Sequence, residues 1–173
     1  QPPSAEFWLG TNPQGKDVYQ QLVWGGRLSL VIGFGSAIGM LFISTTIGMI
    51  AGYNRGIKDD LLNFLMNLFF VIPGLPLLML LSAYLKPSTA TMIVALAITG
   101  WAYNGRIIRA QTMSIREKDF VAAAVVSGEP TRNVIFVHIM PNMVNIIVGG
   151  FIGAVIYGIM ASTGLAFLGL AST

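Results

Sequence analysis

The chain has 173 residues, of which 54% are hydrophobic and only 10% charged, with a net charge of +3 at pH 7. Soluble globular domains carry about 25% charged residues, so a chain this poor in charge cannot clothe a water-facing surface, and its length reads as a set of helices. Cysteine is absent, which excludes disulfides and thiolate metal sites.

Residues 1–26 are polar, begin with Gln1 and hold no apolar run, so they contain no visible signal peptide. At the other end an apolar run stops at Ala171-Ser172-Thr173, and both ends read as cut from a longer protein. Within the polar segment, Gly10-Thr11-Asn12-Pro13-Gln14-Gly15-Lys16-Asp17 nearly spells a phosphate-binding loop. It fails at Asp17, which would repel phosphate and replaces the magnesium-binding hydroxyl, and no apolar strand precedes it. A glycine-punctuated turn leading into the first apolar segment is the reading kept.

No Asp, Glu, Lys or Arg occurs in 28–54, 61–85, 87–105 or 133–173. A helix needs about 20 apolar residues to cross the hydrocarbon, so each interval supplies one span, at about 28–53, 61–85, 87–106 and 140–168. Residues 75–81 do not alternate as barrel strands would. The fold class is therefore an all-α membrane protein. Gly35 and Gly39, Gly48 and Gly52, and Gly149 and Gly153 fall at the four-residue spacing that lets helix backbones approach closely in lipid. Pro73, Gly74 and Pro76 interrupt the second span, where each proline removes a helical hydrogen bond. A kink is expected there, either tolerated or shaping a pathway.

Orientation follows from the basic residues of the short loops. Lys16, Arg27 and Lys86 lie on one side; Arg55, Lys58, Arg106, Arg109, Arg116, Lys118 and Arg132 lie on the other. The richer side is cytoplasmic, which makes residues 1–26 extracytoplasmic, residues 27–173 the transmembrane domain and residues 107–139 a cytoplasmic loop. This asymmetry accounts for the basic balance without nucleic acid. In the loop, Asp119 can cap a short helix over Phe120-Val121-Ala122-Ala123-Ala124-Val125-Val126-Ser127. Gly128 then ends it, and Pro130 suits the first turn of a new helix that continues into the last span. The alanines give a slim face that fits a partner's groove; a helix merely resting on the lipid surface is the competing reading.

The charge-free intervals hold no Asp, Glu, Lys or Arg, which argues against a proton relay. His138 stands alone near a membrane boundary and reads as a packed or hydrogen-bonded side chain. No carboxylate pair, histidine cluster or Ser-His-Asp set can be assembled, so no catalytic residue, cofactor or metal is expected.

Ala122-Ala123-Ala124 with Gly128, followed by Ile139-Met140-Pro141-Asn142, resembles the "EAA" loop of binding-protein-dependent ABC importer permeases. Leu9-Gly10-Thr11, Gly15, Asp17-Val18, Gly25, Arg27, Ser29-Leu30, Ala51-Gly52-Tyr53, Gly56, Asp59, Trp101, Arg106, Arg109 and Phe167-Leu168-Gly169-Leu170 are similar to the dipeptide/oligopeptide subfamily. The loop's usual glutamate is Ala122 here, the leucine before Pro141 is Met140, and an acid near the end is Ser162. Asn63, Phe64 and Asn67 stand where charges flank the second span.

The resemblance implies a type I permease bundle with four of about six spans present, in the plasma (inner) membrane. It implies a channel-forming subunit that imports peptides, oligosaccharides or nickel. Its partners would be a second permease subunit, cytoplasmic ATP-binding subunits, an extracytoplasmic solute-binding protein and membrane lipid. ATP would be hydrolysed by the partners. Asp119, Phe120, Val121, Ala122, Ala123, Ala124, Gly128 and Pro141 would couple to the ATPase, and Pro73, Gly74 and Pro76 would bend the pathway. A secondary transporter or channel subunit working without an ATPase, or a membrane scaffold, are the other readings.

Overall fold

The computed structural model describes residues 1–84 and 88–167, with the backbone alone for Leu75, Ser82 and Ala83. Lys86 of the charge count, the turn at 85–87 and Leu168-Gly169-Leu170 lie outside the described residues. Seven α-helices occur among these residues: α1 (Val18–Tyr53), α2 (Ile57–Val71), α3 (Gly74–Tyr84), α4 (Thr89–Arg116), α5 (Asp119–Val126), α6 (Thr131–Asn133) and α7 (Val144–Phe167). A π turn (Val134–Ile139) and a 3₁₀ turn (Met140–Met143) join α6 to α7 without a break.

The polar start folds back on itself. Thr11 pairs with Asp17 in an isolated bridge, Gly10 and Gly15 have φ of 73° and 79°, and the Asn12 carboxamide oxygen accepts from the amides of Gln14 and Lys16, both at 2.9 Å. Two of the amides that would have to cradle a phosphate are thus already engaged, and the near-match to a phosphate loop is a closed turn. Asp17 caps α1 by accepting from the Tyr19 amide at 2.9 Å.

α1 begins ten residues before the span expected at 28–53, because Asp17 supplies the cap and nothing between Val18 and Arg27 breaks a helix. α1 and the continuous stretch Thr131–Phe167 are 36 and 37 residues long and apolar enough to cross a membrane. The other two expected spans are built differently. The second is split at Ile72-Pro73 into pieces of 15 and 11 residues. The third belongs to α4, which runs on through Arg106 and Arg109 to Arg116, so ten residues of the expected loop are helix.

α1 and α4 lie parallel and in close contact. A Cβ on Gly35 would meet Ile93, one on Gly39 would meet Ala97, and ones on Gly48 and Gly52 would meet the Gly105 and Arg109 carbonyls at 2.7 and 2.5 Å. α7 runs antiparallel to α1, with Gly158 against Gly33 and Ser36. Gly149 and Gly153 have open space where a Cβ would stand. The same four-residue spacing therefore packs helices on α1 and leaves α7 uncovered on that side.

Two apolar clusters fill the bundle. One holds Met40, Met66, Leu78, Leu96, Trp101, Ala154 and Leu165, with the Phe69 and Trp101 rings 5.5 Å apart. The second lies at the charged end, where Met49, Ile108, Ile115, Val134, Ile139 and Met143 surround Val121 and Ala124 of α5.

Candidate coupling site and intramembrane cavity

α5 is eight residues long and sits outside the bundle axis, pinned by one face. Val121 and Ala124 are 2% and 6% exposed and pack into the second cluster. Asp119, Phe120, Ala122, Ala123, Val125 and Val126 are exposed, Val126 at 88%. Of the alanines expected to fit a partner groove, Ala124 instead faces inward, because residues 121 and 124 are one turn apart on the helix. Asp119 is not the cap either. Lys118 holds that position without a side-chain hydrogen bond, and Asp119 is the first helical residue, where its charge still suits the helix N-terminus.

The end of α5 is tightly specified. Gly128 has φ +79°, its amide donates to the Val125 carbonyl at 3.0 Å, and the Glu129 amide donates to the Ala124 carbonyl at 3.2 Å. This pair of bonds is a Schellman ending, which needs the left-handed conformation glycine adopts without strain. Pro130 then caps α6 from one position before its first turn. Glu129 meets His138 at 2.9 Å, closing the elbow. Pro141 is exposed and offers no amide hydrogen, so the chain passes through the π and 3₁₀ turns around it. The Asn142 side chain donates to the His138 carbonyl at 2.7 Å.

Arginines tie this elbow to the rest of the bundle. Arg116, three residues before the start of α5, donates from Nη1 to the carbonyls of Gly52, Tyr53 and Asn54 at 2.7, 3.4 and 3.0 Å. These carbonyls end α1 and have no helical donors of their own, and a cation there also suits the helix C-terminus. Glu117 pairs with Arg55 at 2.6 Å and with Arg116 at 3.1 Å. The hydrogen bond from Arg116, then the charge of Arg55, hold its carboxyl below the usual carboxylate range. Arg109 forms a bidentate pair with Asp59 at 2.6 and 2.7 Å, the two side chains only 22% and 13% exposed. Sequence reading missed Arg116, Glu117 and Asp59 as site residues; the signal available was a run of charges flanking apolar segments, which does not reveal partners 50 or more residues away.

The Asp59–Arg109 pair yields a direct expectation. Asp59→Asn leaves Arg109 partly buried without its carboxylate, a change near the lower end of roughly 3–5 kcal/mol, since both groups keep some exposure. Membrane abundance and the thermal aggregation midpoint should fall, and wild-type values would show that the pair holds nothing together.

Between α5 and the end of α1 lies a cleft of about 380 Å³, lined by Tyr53, Arg55, Arg116, Val121, Ala122, Val125 and Val126. A second cavity, about 440 Å³, lies among α1, the α2–α3 break, α4 and α7. Gly74 lines it, whereas Pro73 and Pro76 are exposed and do not. The three kink residues are thus brought together at the break, but only the glycine meets the cavity. Among the described residues no group of three or more His, Asp or Glu side chains could hold a metal ion.

The sequence also matches known proteins. Residues 44–173 match the family described as binding-protein-dependent transport system inner membrane component. The chain is 38% identical over 173 residues to a dipeptide transport system permease protein of Alkalihalophilus pseudofirmus, covering 98% of this chain and 56% of that one. It is 36% identical over 171 residues to an oligopeptide transport system permease protein of Mycobacterium bovis (98% and 59% covered). It is 30% identical over 168 residues to a glutathione transport system permease protein of Pectobacterium atrosepticum (97% and 56% covered). The chain therefore spans a little over half the length of these relatives. An α-helical membrane bundle whose sequence is covered by this match from Ser44 to Thr173 belongs to the family of binding-protein-dependent transport system inner membrane components.

Proposed function

We propose that the protein is a permease subunit of an ATP-driven importer for peptides, embedded with several spans in the inner membrane and hydrolysing no ATP itself. The relatives named for dipeptide, oligopeptide and glutathione transport support the substrate class. The observation that carries the mechanism is α5: its inner face is buried in the bundle through Val121 and Ala124 while Phe120, Ala123 and Val126 stand exposed. Such a helix suits a lever gripped by a cytoplasmic ATPase, because a push on the outer face passes through the buried face into α4 and α1. Gly128 and the Arg116 hold on α1 fix the lever's angle, and Pro141 sits in the irregular turn where the elbow joins α7. A second permease subunit would complete the path, and a solute-binding protein outside would deliver the peptide. The break at Ile72-Pro73, with Gly74 and Pro76, bends the second span along that path.

The test is uptake by the complete transporter in proteoliposomes carrying its ATPase subunits, with radiolabelled trialanine delivered by the binding protein. Uptake should require ATP on the ATPase side and survive collapse of ion gradients. Gradient-driven uptake without ATP would replace this reading with a secondary transporter. Orientation is tested separately. Gln14→Cys should label with an impermeant maleimide in intact cells, and the exposed Lys58→Cys only after lysis; labelling of Lys58→Cys in intact cells would invert the topology.

A further inference from the structure

The first half of α1 carries a groove that neither coupling nor the translocation path uses. Trp24, Gly25, Arg27, Leu28 and Val31 line it, and its volume is about 410 Å³. Trp24, Arg27, Leu28 and Val31 stand three and four residues apart, so they share one helix face. The Arg27 guanidinium carbon lies 5.6 Å from the centre of the Trp24 ring. Among the described residues Arg27 joins no ion pair. Gly25 contributes no side chain and has open space where its Cβ would stand, so the groove stays open beside the cation.

The charge pattern sets the depth of this groove in the membrane. Arg27 is the last charge before the uncharged interval that ends at Asn54. Residues 28–53 of α1 rise about 39 Å, close to the roughly 40–45 Å of a bilayer with its headgroup regions. Arg27 therefore stands at headgroup level, on the side of the membrane opposite the α5 elbow. Tryptophan is enriched at that level. Residue size then separates the two faces of α1. Small residues, among them Gly33, Ser36, Ala37 and Gly48, are buried in the bundle. Leu28, Val31, Ile38 and Phe42, on the other face, are all large and exposed. Close helix contacts in lipid favour small residues, so the large face suits acyl chains. From 28 to 42 it runs about 21 Å, longer than the roughly 15 Å that one leaflet gives to the hydrocarbon.

We infer that this groove binds one anionic phospholipid, with its phosphate on Arg27 beside the Trp24 ring and an acyl chain laid along Leu28, Val31, Ile38 and Phe42. A cation without a carboxylate partner, held at the depth of the phosphates, selects a headgroup of net negative charge. A zwitterionic headgroup brings its own cation and gains less from Arg27. The site requires only that α1 crosses the bilayer, and it stands independently of the importer reading.

Val31 provides the test, because it is exposed and lines the groove. The photoreactive residue p-benzoylphenylalanine is placed there in the complete transporter, which is stripped of lipid in detergent and titrated with phosphatidylglycerol or phosphatidylcholine. After illumination, adducts are measured by mass spectrometry. Phosphatidylglycerol should be captured, and phosphatidylcholine only at severalfold higher concentration. Adding Arg27→Gln should raise the half-maximal phosphatidylglycerol concentration about fivefold, the factor expected for one basic residue at an anionic membrane surface. Arg27→Lys keeps the charge and should stay near wild type. An unchanged half-maximal concentration in Arg27→Gln overturns the site, as does equal capture of the two lipids. Crosslinking to another segment of the same chain or to the second permease also overturns it, because the face would then be a protein contact. If Arg27→Gln does not accumulate, the comparison of the two lipids, made with Arg27 intact, decides alone.

Discussion

Uptake should be abolished in Gly128→Val while the protein still reaches the membrane. At φ +79° the glycine occupies a region that costs an L-residue about 1–2 kcal/mol, more for a β-branched one. Nothing lies within 4 Å of the position a Cβ would take, so the expected effect comes through the backbone and not through a clash. Valine would relieve its strain by opening the turn after α5, and the Gly128 and Glu129 amide bonds that set the helix angle would be lost. Side chains should therefore rank by their tolerance of left-handed backbone, with Gly128→Asn nearest wild type, Gly128→Ala intermediate and Gly128→Val inactive. Ala123→Arg should share the phenotype for a different reason, because it places a long cation on the exposed face where a narrow groove would receive α5. Ala124→Arg should differ from both. That residue is buried against the second cluster, so its variant should lose membrane abundance before any effect on coupling can be read. The measurements are uptake, abundance and ATPase co-purification for each variant. Wild-type uptake in both Gly128→Val and Ala123→Arg would remove the coupling role from α5.

Gly52→Val is expected to have the largest effect on stability of any single change in the bundle. A Cβ there would stand 2.5 Å from the Arg109 carbonyl oxygen and 2.6 Å from Thr112 Cβ. One of these obstacles is backbone within α4, so the helices themselves must separate. Overpacking costs about 1–3 kcal/mol where side chains can yield, and here the yielding element is a rigid helix. Displacing the end of α1 would also pull its carbonyls from Arg116. Expression level and the aggregation midpoint in detergent should both drop sharply. Gly149→Ala, from the same spacing motif but with open space around it, should leave both unchanged. Equal behaviour of the two variants would mean that α1 and α4 do not pack as described.

That contrast shows where sequence reasoning reaches. The charge-free intervals and the Pro73-Gly74-Leu75-Pro76 break were legible because hydropathy and proline chemistry are local properties. Gly128 was legible for the same reason, since a glycine after a short helical run signals a left-handed ending. Whether a pair of glycines meets another helix depends on a surface far away in the chain, and 48/52 and 149/153 look alike without it. The inner face of α5 was hidden because residues 120–126 are all apolar, leaving no polar side to reveal the period. The extensions of α1 and α4 beyond the expected spans were missed because charged and polar residues mark the edge of lipid without ending a helix. Arg116 carried no local sign of its role, since its acceptors lie 62 to 64 residues earlier.

That distance matters while the protein is being made. α1 leaves the ribosome with its last carbonyls unpaired and its Gly48–Gly52 groove empty, and both remain so until α4 follows. At about 5–20 residues per second, the 62 residues from Asn54 to Arg116 take on the order of 3–12 s to synthesise. During that interval α1 is a finished helix without its partner, so its groove faces lipid or the insertion machinery. Capture of the nascent chain should therefore be strongest for chains halted before Arg116 and should fall once α4 has emerged.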